Sequence, residues 1–163
     1  MEKRRKAFTL IELTFVIVVI GILSAIAIPK FKDTADNAYL SKAQSELMAV
    51  RSALSTERQK RILRGDTTAI MSLSCTSSSC PTTPTYAFDH FSPDGDNNYT
   101  AVMDYPIKAC TSGQKACWKI GTSNGKKTYS YQFIDSGEAI FILDKNRLDC
   151  KAGDEADCQK ITQ

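Results

Sequence analysis

Six cysteines, at positions 75, 80, 110, 117, 150 and 158, and one glutamate, Glu12, are the residues whose type and spacing could do chemistry. Thiols offer disulfides, metal ligation or nucleophilic attack. An even count confined to the chain after residue 74 suits disulfides formed in an oxidising compartment. Zinc prefers cysteine pairs two to four residues apart, usually with histidine partners. The spacings here are mostly longer and the only histidine is His90, so no metal is expected. Six cysteines leave fifteen connectivities open. The sequential one, Cys75–Cys80, Cys110–Cys117 and Cys150–Cys158, closes three short loops, each contributing roughly 2–2.5 kcal/mol by chain-entropy arithmetic. A bridge that staples the tail to a strand is the alternative.

Glu12 raises a different question. It is the only charged residue between Phe8 and Ile28, in a stretch that reads FTLIELTFVIVVIGILSAIAI. That run rises roughly 31 Å as a helix at 1.5 Å per residue, enough to cross a hydrocarbon core of about 30 Å. It is apolar all round rather than along one stripe, which suits lipid or the interior of a helix bundle. A carboxylate there costs about 2.5–3.5 kcal/mol at a bilayer centre and less near an interface. One reading is a glutamate that snorkels to the headgroups. The preceding MEKRRK carries four cations in six residues, which keeps that end cytoplasmic by the positive-inside rule. A removable secretory signal also begins with basic and apolar stretches. This apolar run is longer than the usual one and leads, through AIAIPKF, into a further helical pattern.

The order KAFTLIEL…GILSAIAIP resembles the type IV prepilin family, which includes the pseudopilins of type II secretion. The resemblance covers about a sixth of the chain and implies several expectations. A prepilin peptidase would cut between Ala7 and Phe8, and the new amino terminus of Phe8 would be methylated. The family prefers glycine before the cut; Ala7 stands there and is also small. Glu12 matches the family's acidic assembly residue, Gly21 its mid-helix glycine and Pro29 its helix-bending proline. In a filament, the cationic amino group of Phe8 would sit beside the Glu12 of a neighbour. Two opposite charges about 4 Å apart attract by roughly 4 kcal/mol at an effective dielectric of 20, comparable with the cost of burying the carboxylate.

Other polar groups offer less. Arg58, Lys60, Arg61 and Arg64 cluster in ERQKRILR. They complement a helix C-terminal dipole, or could form a DNA-contacting patch. Asp94, Asp96 and Asn98 alternate like part of a calcium loop, but no bidentate glutamate follows at the required distance; a turn is the plainer reading. Asn98-Tyr99-Thr100 fits a glycosylation acceptor. His90 has no cysteine or serine partner that spacing commends. No phosphate-binding loop, dinucleotide fingerprint or nucleophile elbow occurs, so the chain reads as no enzyme and needs no cofactor.

The elements that must carry these residues are legible in part. Phe31, Ala35, Tyr39, Ala43, Leu47, Val50 and Leu54 step by three or four, the spacing of one helix face. Lys32, Asp36, Ser45, Arg51 and Thr56 take the opposite side. One long helix is expected from about Thr9 to Leu63, bent or weakened at Pro29 and stopped at Gly65. Residues 74–85, SCTSSSCPTTPT, read as an exposed loop. YTAVMDY, CWKIG, KTYSYQFI and AIFILD read as strands, with Asn124-Gly125 as a hairpin turn. Tyr129, Tyr131 and Phe133 should face the core, Ser130 and Gln132 the other side. The tail from Asp144 is polar and reads as a disulfide-bounded surface loop.

The expected fold is α+β and pilin-like. A long N-terminal helix, transmembrane in its first half and amphipathic in its second, packs on a small antiparallel sheet of three or four strands. The expected divisions are a basic leader at 1–7, a membrane and filament-core helix at 8–29, an amphipathic helix at 30–64 and a disulfide-bonded head at 65–163. The 163-residue chain has a formal charge of +3, but four of its 21 cations and one of its 18 anions lie in the first seven residues. Seventeen of each remain, a balance that argues for neither a nucleic-acid nor an acidic partner.

The resemblance implies a precursor held in the bacterial inner membrane, single-pass with its N-terminus cytoplasmic. It would be processed by the peptidase and drawn by an inner-membrane assembly platform into a polymer of itself or of related subunits, in the periplasm or at the cell surface. A signal-anchored periplasmic binding domain that never polymerises is the alternative; a membrane-tethered enzyme is a third.

Overall fold

The computed structural model describes residues 8–75 and 86–162. In chain order the elements are α1 (Leu10–Leu63), β1 (Tyr86–Phe88), β2 (Ile107–Lys108), β3 (Cys117–Ser123), β4 (Lys126–Gln132), β5 (Glu138–Asp144), β6 (Arg147–Cys150) and α2 (Glu155–Thr162). The chain divides into two compact units, Met1–Ala38 and Tyr39–Gln163. The fold is α+β, with a long apolar N-terminal helix and small antiparallel sheets.

Among the described residues of the first unit none is buried. Its apolar side chains, from Phe8 and Leu10 through Ile28 and Phe31, are exposed. Among the described residues α1 is the one helix long and apolar enough to cross a membrane. Helix continues through Pro29, although proline has no N–H for the preceding turn.

The second unit is built around a four-stranded antiparallel sheet of order β3-β4-β5-β6. Asn124 and Gly125 have φ of 50° and 75°, the left-handed pair that a two-residue hairpin turn needs and that Asn-Gly supplies readily. Tyr129, Tyr131 and Phe133 are all buried, as their alternation requires. Ser130, on the opposite phase, is buried as well. The helical stripe Ala43, Leu47, Val50 and Leu54 joins Trp118, Tyr129, Tyr131, Phe141 and Leu143 in one core. Fully burying one large apolar side chain contributes about 1.5–3 kcal/mol, so this cluster is what holds the C-terminal part of α1 to the sheet. Polar bonds set the register. Trp118 Nε1 donates to Glu46 at 2.8 Å and the Tyr131 hydroxyl to the Tyr39 carbonyl at 3.2 Å.

Helix α1 ends as glycine dictates. Gly65 adopts φ of 78°; its N–H reaches the Ile62 carbonyl at 2.9 Å and the Asp66 N–H reaches that of Arg61 at 2.9 Å. This double bond pattern is a Schellman cap.

Two expectations need correction. YTAVMDY forms no strand; it contributes one isolated bridge, His90 with Ala101. The short strands β1 and β2 pair with each other elsewhere. The tail is not a polar surface loop. It contains β6, which pairs with β5 over Phe141–Asp144, and α2, with Leu148, Cys158 and Ile161 buried. Spacing explains the burial: Cys158 and Ile161 lie three apart on one helical face, against β5.

Candidate functional site

The N-terminal segment begins α1 with a closed set of hydrogen bonds. Glu12 Oε2 accepts the Thr9 N–H at 2.9 Å and the Thr9 hydroxyl at 2.7 Å. The Glu12 N–H in turn donates to Thr9 Oγ1 at 3.3 Å. A threonine followed three residues later by glutamate, bonded both ways, is a capping box. It satisfies donors that a helix start leaves orphaned. The sequence contained this signal in Thr9-Leu10-Ile11-Glu12, and charge-based reasoning passed over it. Phe8 stands directly before the cap, with its ring exposed. Ala7 lies outside the described residues. Gly21 and Pro29 both lie inside α1, and a Cβ on Gly21 would meet nothing within 4 Å.

In the second unit the Cys110 and Cys117 sulfurs are bonded, with Cα atoms 5.5 Å apart, and so are those of Cys150 and Cys158, at 6.1 Å. The first bridge joins β3 to the segment before it; the second ties β6 to α2. Cys75 is disulfide-bonded too; Cys80 of the expected Cys75–Cys80 bridge lies outside the described residues. The base of that loop is held by buried polar groups that sequence reasoning missed. Asp89 Oδ1 accepts the Cys75 N–H at 2.7 Å, and the Tyr129 hydroxyl accepts the Leu73 N–H at 2.7 Å. Burial pushes the Tyr129 hydroxyl's pKa up. Cys75, Asp89 and His90 place ligand-type atoms within 4.8 Å of one another. The Cys75 sulfur is committed to its disulfide, so the group lacks the thiolate a metal would require.

Within the basic cluster Arg58, Lys60 and Arg64 are exposed, whereas Arg61 is withdrawn from the surface. Arg61 is only 1% exposed. Its Nε bonds Glu57 at 3.0 Å and its Nη2 the Ser92 carbonyl at 2.6 Å. Arg64 leans to Asp94 at 3.4 Å and to Glu57 at 3.9 Å. These arginines pin the 92–98 turn to the end of α1. Asp94 completes the turn, its Oδ1 accepting the N–H groups of Asn98 at 2.8 Å and Asp96 at 3.0 Å. The Asn98 N–H, foremost, holds the Asp94 carboxyl below its usual range. With one oxygen on backbone N–H groups and the other on Arg64, Asp94 acts as a turn brace. Asn98 is exposed on this turn and Thr100 half-buried.

Residues 3–28 match the family described as the prokaryotic N-terminal methylation motif. The chain is 56% identical over 50 residues to the type IV narrow pilus major component of Thermus thermophilus, covering 31% of this chain and 43% of that protein. It is 46% identical over 63 residues to a fimbrial protein of Pseudomonas aeruginosa, covering 39% and 38%. It is 37% identical over 54 residues to the type II secretion system core protein G of Dickeya chrysanthemi, covering 33% and 35%. The matches thus span less than half the length of these curated relatives. No solved structure matches the chain.

Proposed function

We propose that this chain, which belongs through its N-terminal segment to the type IV prepilin and pseudopilin family, is a structural subunit of a type IV pilus or a type II secretion-like filament. The observation that carries this reading is the order of the N-terminal segment: cations, a small residue, a capped helix start with Glu12 in its first turn, then a helical run to Ile28 that is apolar but for Thr14 and Ser24 and lies exposed among the described residues. A lone protein in water does not leave such a surface bare. Lipid covers it in the precursor, and neighbouring copies or related subunits cover it in the polymer.

The sequence of events is then concrete. The subunit waits in the bacterial inner membrane with its basic end in the cytoplasm. A prepilin peptidase cuts between Ala7 and Phe8 and the Phe8 amine is methylated. An inner-membrane assembly platform lifts the helix into the growing filament. There the Phe8 amine of an incoming copy faces the Glu12 of one already in place, and the disulfide-bonded heads form the outer surface.

The divisions follow from this: leader 1–7, membrane and filament-core helix 8–29, amphipathic helix 30–64, head 65–163. Intact mass of the subunit from envelopes of its native host tests the reading. Loss of residues 1–7 supports it. Retention of the leader in the mature pool overturns it in favour of a signal-anchored periplasmic domain, because a plain anchor keeps the basic residues that orient it.

A further inference from the structure

The two ends of the four-stranded sheet differ in charge. Lys126, Lys127, Lys145 and Arg147 sit where β3 turns into β4 and β5 into β6, with Asp144 paired to Lys126 at 2.7 Å as a carboxylate among them. Beside them a groove of about 420 Å³ runs between α1 and β6, lined by Arg51, Arg58 and Arg147 with Ser55, Asn146 and Asp149. Arg147 pairs with Asp149 at 3.2 Å. Arg51 donates to the Leu148 carbonyl at 3.2 Å and lies over the Phe141 ring, 5.7 Å from its centroid. Neither Arg51 nor Arg58 pairs with a carboxylate among the described residues. Three guanidinium groups therefore share one carboxylate. Arg51 is already oriented by its carbonyl and its ring, so little side-chain freedom is left to lose on docking.

The opposite end of the sheet carries carboxylates in excess of cations, although Asp157 pairs there with Lys160 at 2.6 Å. There β6 runs into α2 through Asp154 and Glu155. Asp157 lies against the β4–β5 turn, near enough that a Cβ on Gly137 would come within 3.5 Å of its Oδ2. Asp154 Oδ2 is buried yet has no hydrogen-bond partner among the described residues; the nearest cation, Lys151, is 3.8 Å away. Glu155 is exposed and its carboxylate accepts the Gly153 N–H at 3.0 Å. Complementary patches at opposite ends of one domain make a head-to-tail contact. Repeated without closure, such a contact gives an open helical filament.

We propose that the Asp154–Glu155 segment of one copy of this chain seats against the Arg51–Arg58–Arg147 groove of the next copy. The inference rests on the filament reading and names a contact between heads within it. The pairing supplies register and orientation as well as attraction, since like charges brought together by a wrong docking repel.

The test uses the full chain expressed in a piliating host. Sheared filaments and membrane-held subunit are quantified side by side. Arg58→Glu with Arg147→Glu is expected to lower filament yield by about tenfold or more while the membrane level of processed subunit is unchanged. Asp154→Lys with Glu155→Lys is expected to do the same. All four substitutions together restore yield, because the pairing re-forms with its signs exchanged. Arg58→Gln with Arg147→Gln, which keeps size and polarity, lowers yield less steeply and guards against misfolding of the reversed variants. Normal yield from either reversed pair overturns the contact, as does failure of the fourfold variant to recover at normal membrane level. Reversed arginines that leave filaments intact but abolish retention of duplex DNA would assign the groove to nucleic acid and overturn it equally. Absence of filaments from the unaltered chain would instead remove the filament reading, and this contact with it.

Discussion

Thr9 and Glu12 are bonded to each other in both directions, side chain to backbone, at the first turn of α1. Glu12 therefore has local work at the helix start that is separable from any role between subunits. Glutamine can accept the same Thr9 bonds without the charge. Glu12→Gln is expected to keep insertion, processing and membrane level normal while filament yield collapses, because in the proposed filament the Phe8 amine would lose its counter-charge, at a cost of about 3–5 kcal/mol. Glu12→Leu loses the cap as well, for roughly a further 1 kcal/mol, and should assemble no better. Sheared and membrane fractions report both. Normal filaments from Glu12→Gln would reduce Glu12 to a helix cap.

The buried Glu57–Arg61 pair predicts an asymmetry. Arg61→Met leaves two backbone carbonyls unpaired and the buried Glu57 carboxylate with only the Arg64 contact at 3.9 Å, so the head should lose about 3 kcal/mol. Glu57→Leu combined with Arg61→Met removes the stranded charge and should recover part of that loss. Urea unfolding of the three proteins decides; a double variant worse than Arg61→Met would mean that the pair is held by something other than mutual compensation.

The Cys150–Cys158 bridge ties α2 to β6 between positions eight apart in the sequence. Cys150→Ala with Cys158→Ala is expected to lower stability by roughly 2.5 kcal/mol on chain entropy, with Ile161 losing its protection from solvent. Thermal unfolding and amide exchange in α2 measure the two effects. Thiol titration of the denatured, unreduced chain should find no reactive cysteine.

Asp66 accepts bonds from Thr68 and from the Gly95 N–H, which hold its carboxyl at about pKa 2. A folded value below the ordinary one of about 3.9 favours the ionised, folded state. Its contribution is complete above about pH 4 and disappears as the pH falls toward 2. Asp66→Asn should flatten that part of the acid unfolding curve, read by thermal melts between pH 2 and 5. An unchanged acid limb would remove Asp66 from the account.

The legible parts of the sequence were those with strong periodicity or punctuation. The three-and-four stepping of Ala43, Leu47, Val50 and Leu54 marked the packed face of α1, Gly65 its end and Asn124-Gly125 its hairpin. The β5–β6 hairpin was not legible, because Lys145 and Asn146 take φ of 46° and 63° without a glycine. Tertiary bonding helps to hold that turn: Asn146 Oδ1 accepts the Ile70 N–H at 2.5 Å. Arg61 does lie in the last turn of α1, as the helix-dipole reading expects, but its burial was not legible for a similar reason. Burial of a guanidinium depends on Glu57, one turn back, and on the carbonyls of Ser92 and Pro93, about thirty residues on. No local pattern announces the second set. Of the N-terminal site, the order of residue types was readable, and so was the Thr-x-x-Glu spacing of Thr9 and Glu12, which the attention to charge passed over.

The two edges of the four-stranded sheet bear on how the chain avoids the wrong kind of fibre. An open edge strand offers unpaired amides and carbonyls that template strand addition and amyloid. Edge strand β3 is partly covered, because Cys110 donates its N–H to the Trp118 carbonyl at 2.7 Å and the neighbouring disulfide holds that segment in place. Edge strand β6 has only four residues, and the guanidinium of Arg51 occupies its Leu148 carbonyl. Among the described residues, this sheet thus leaves little open backbone on which cross-β stacking could start.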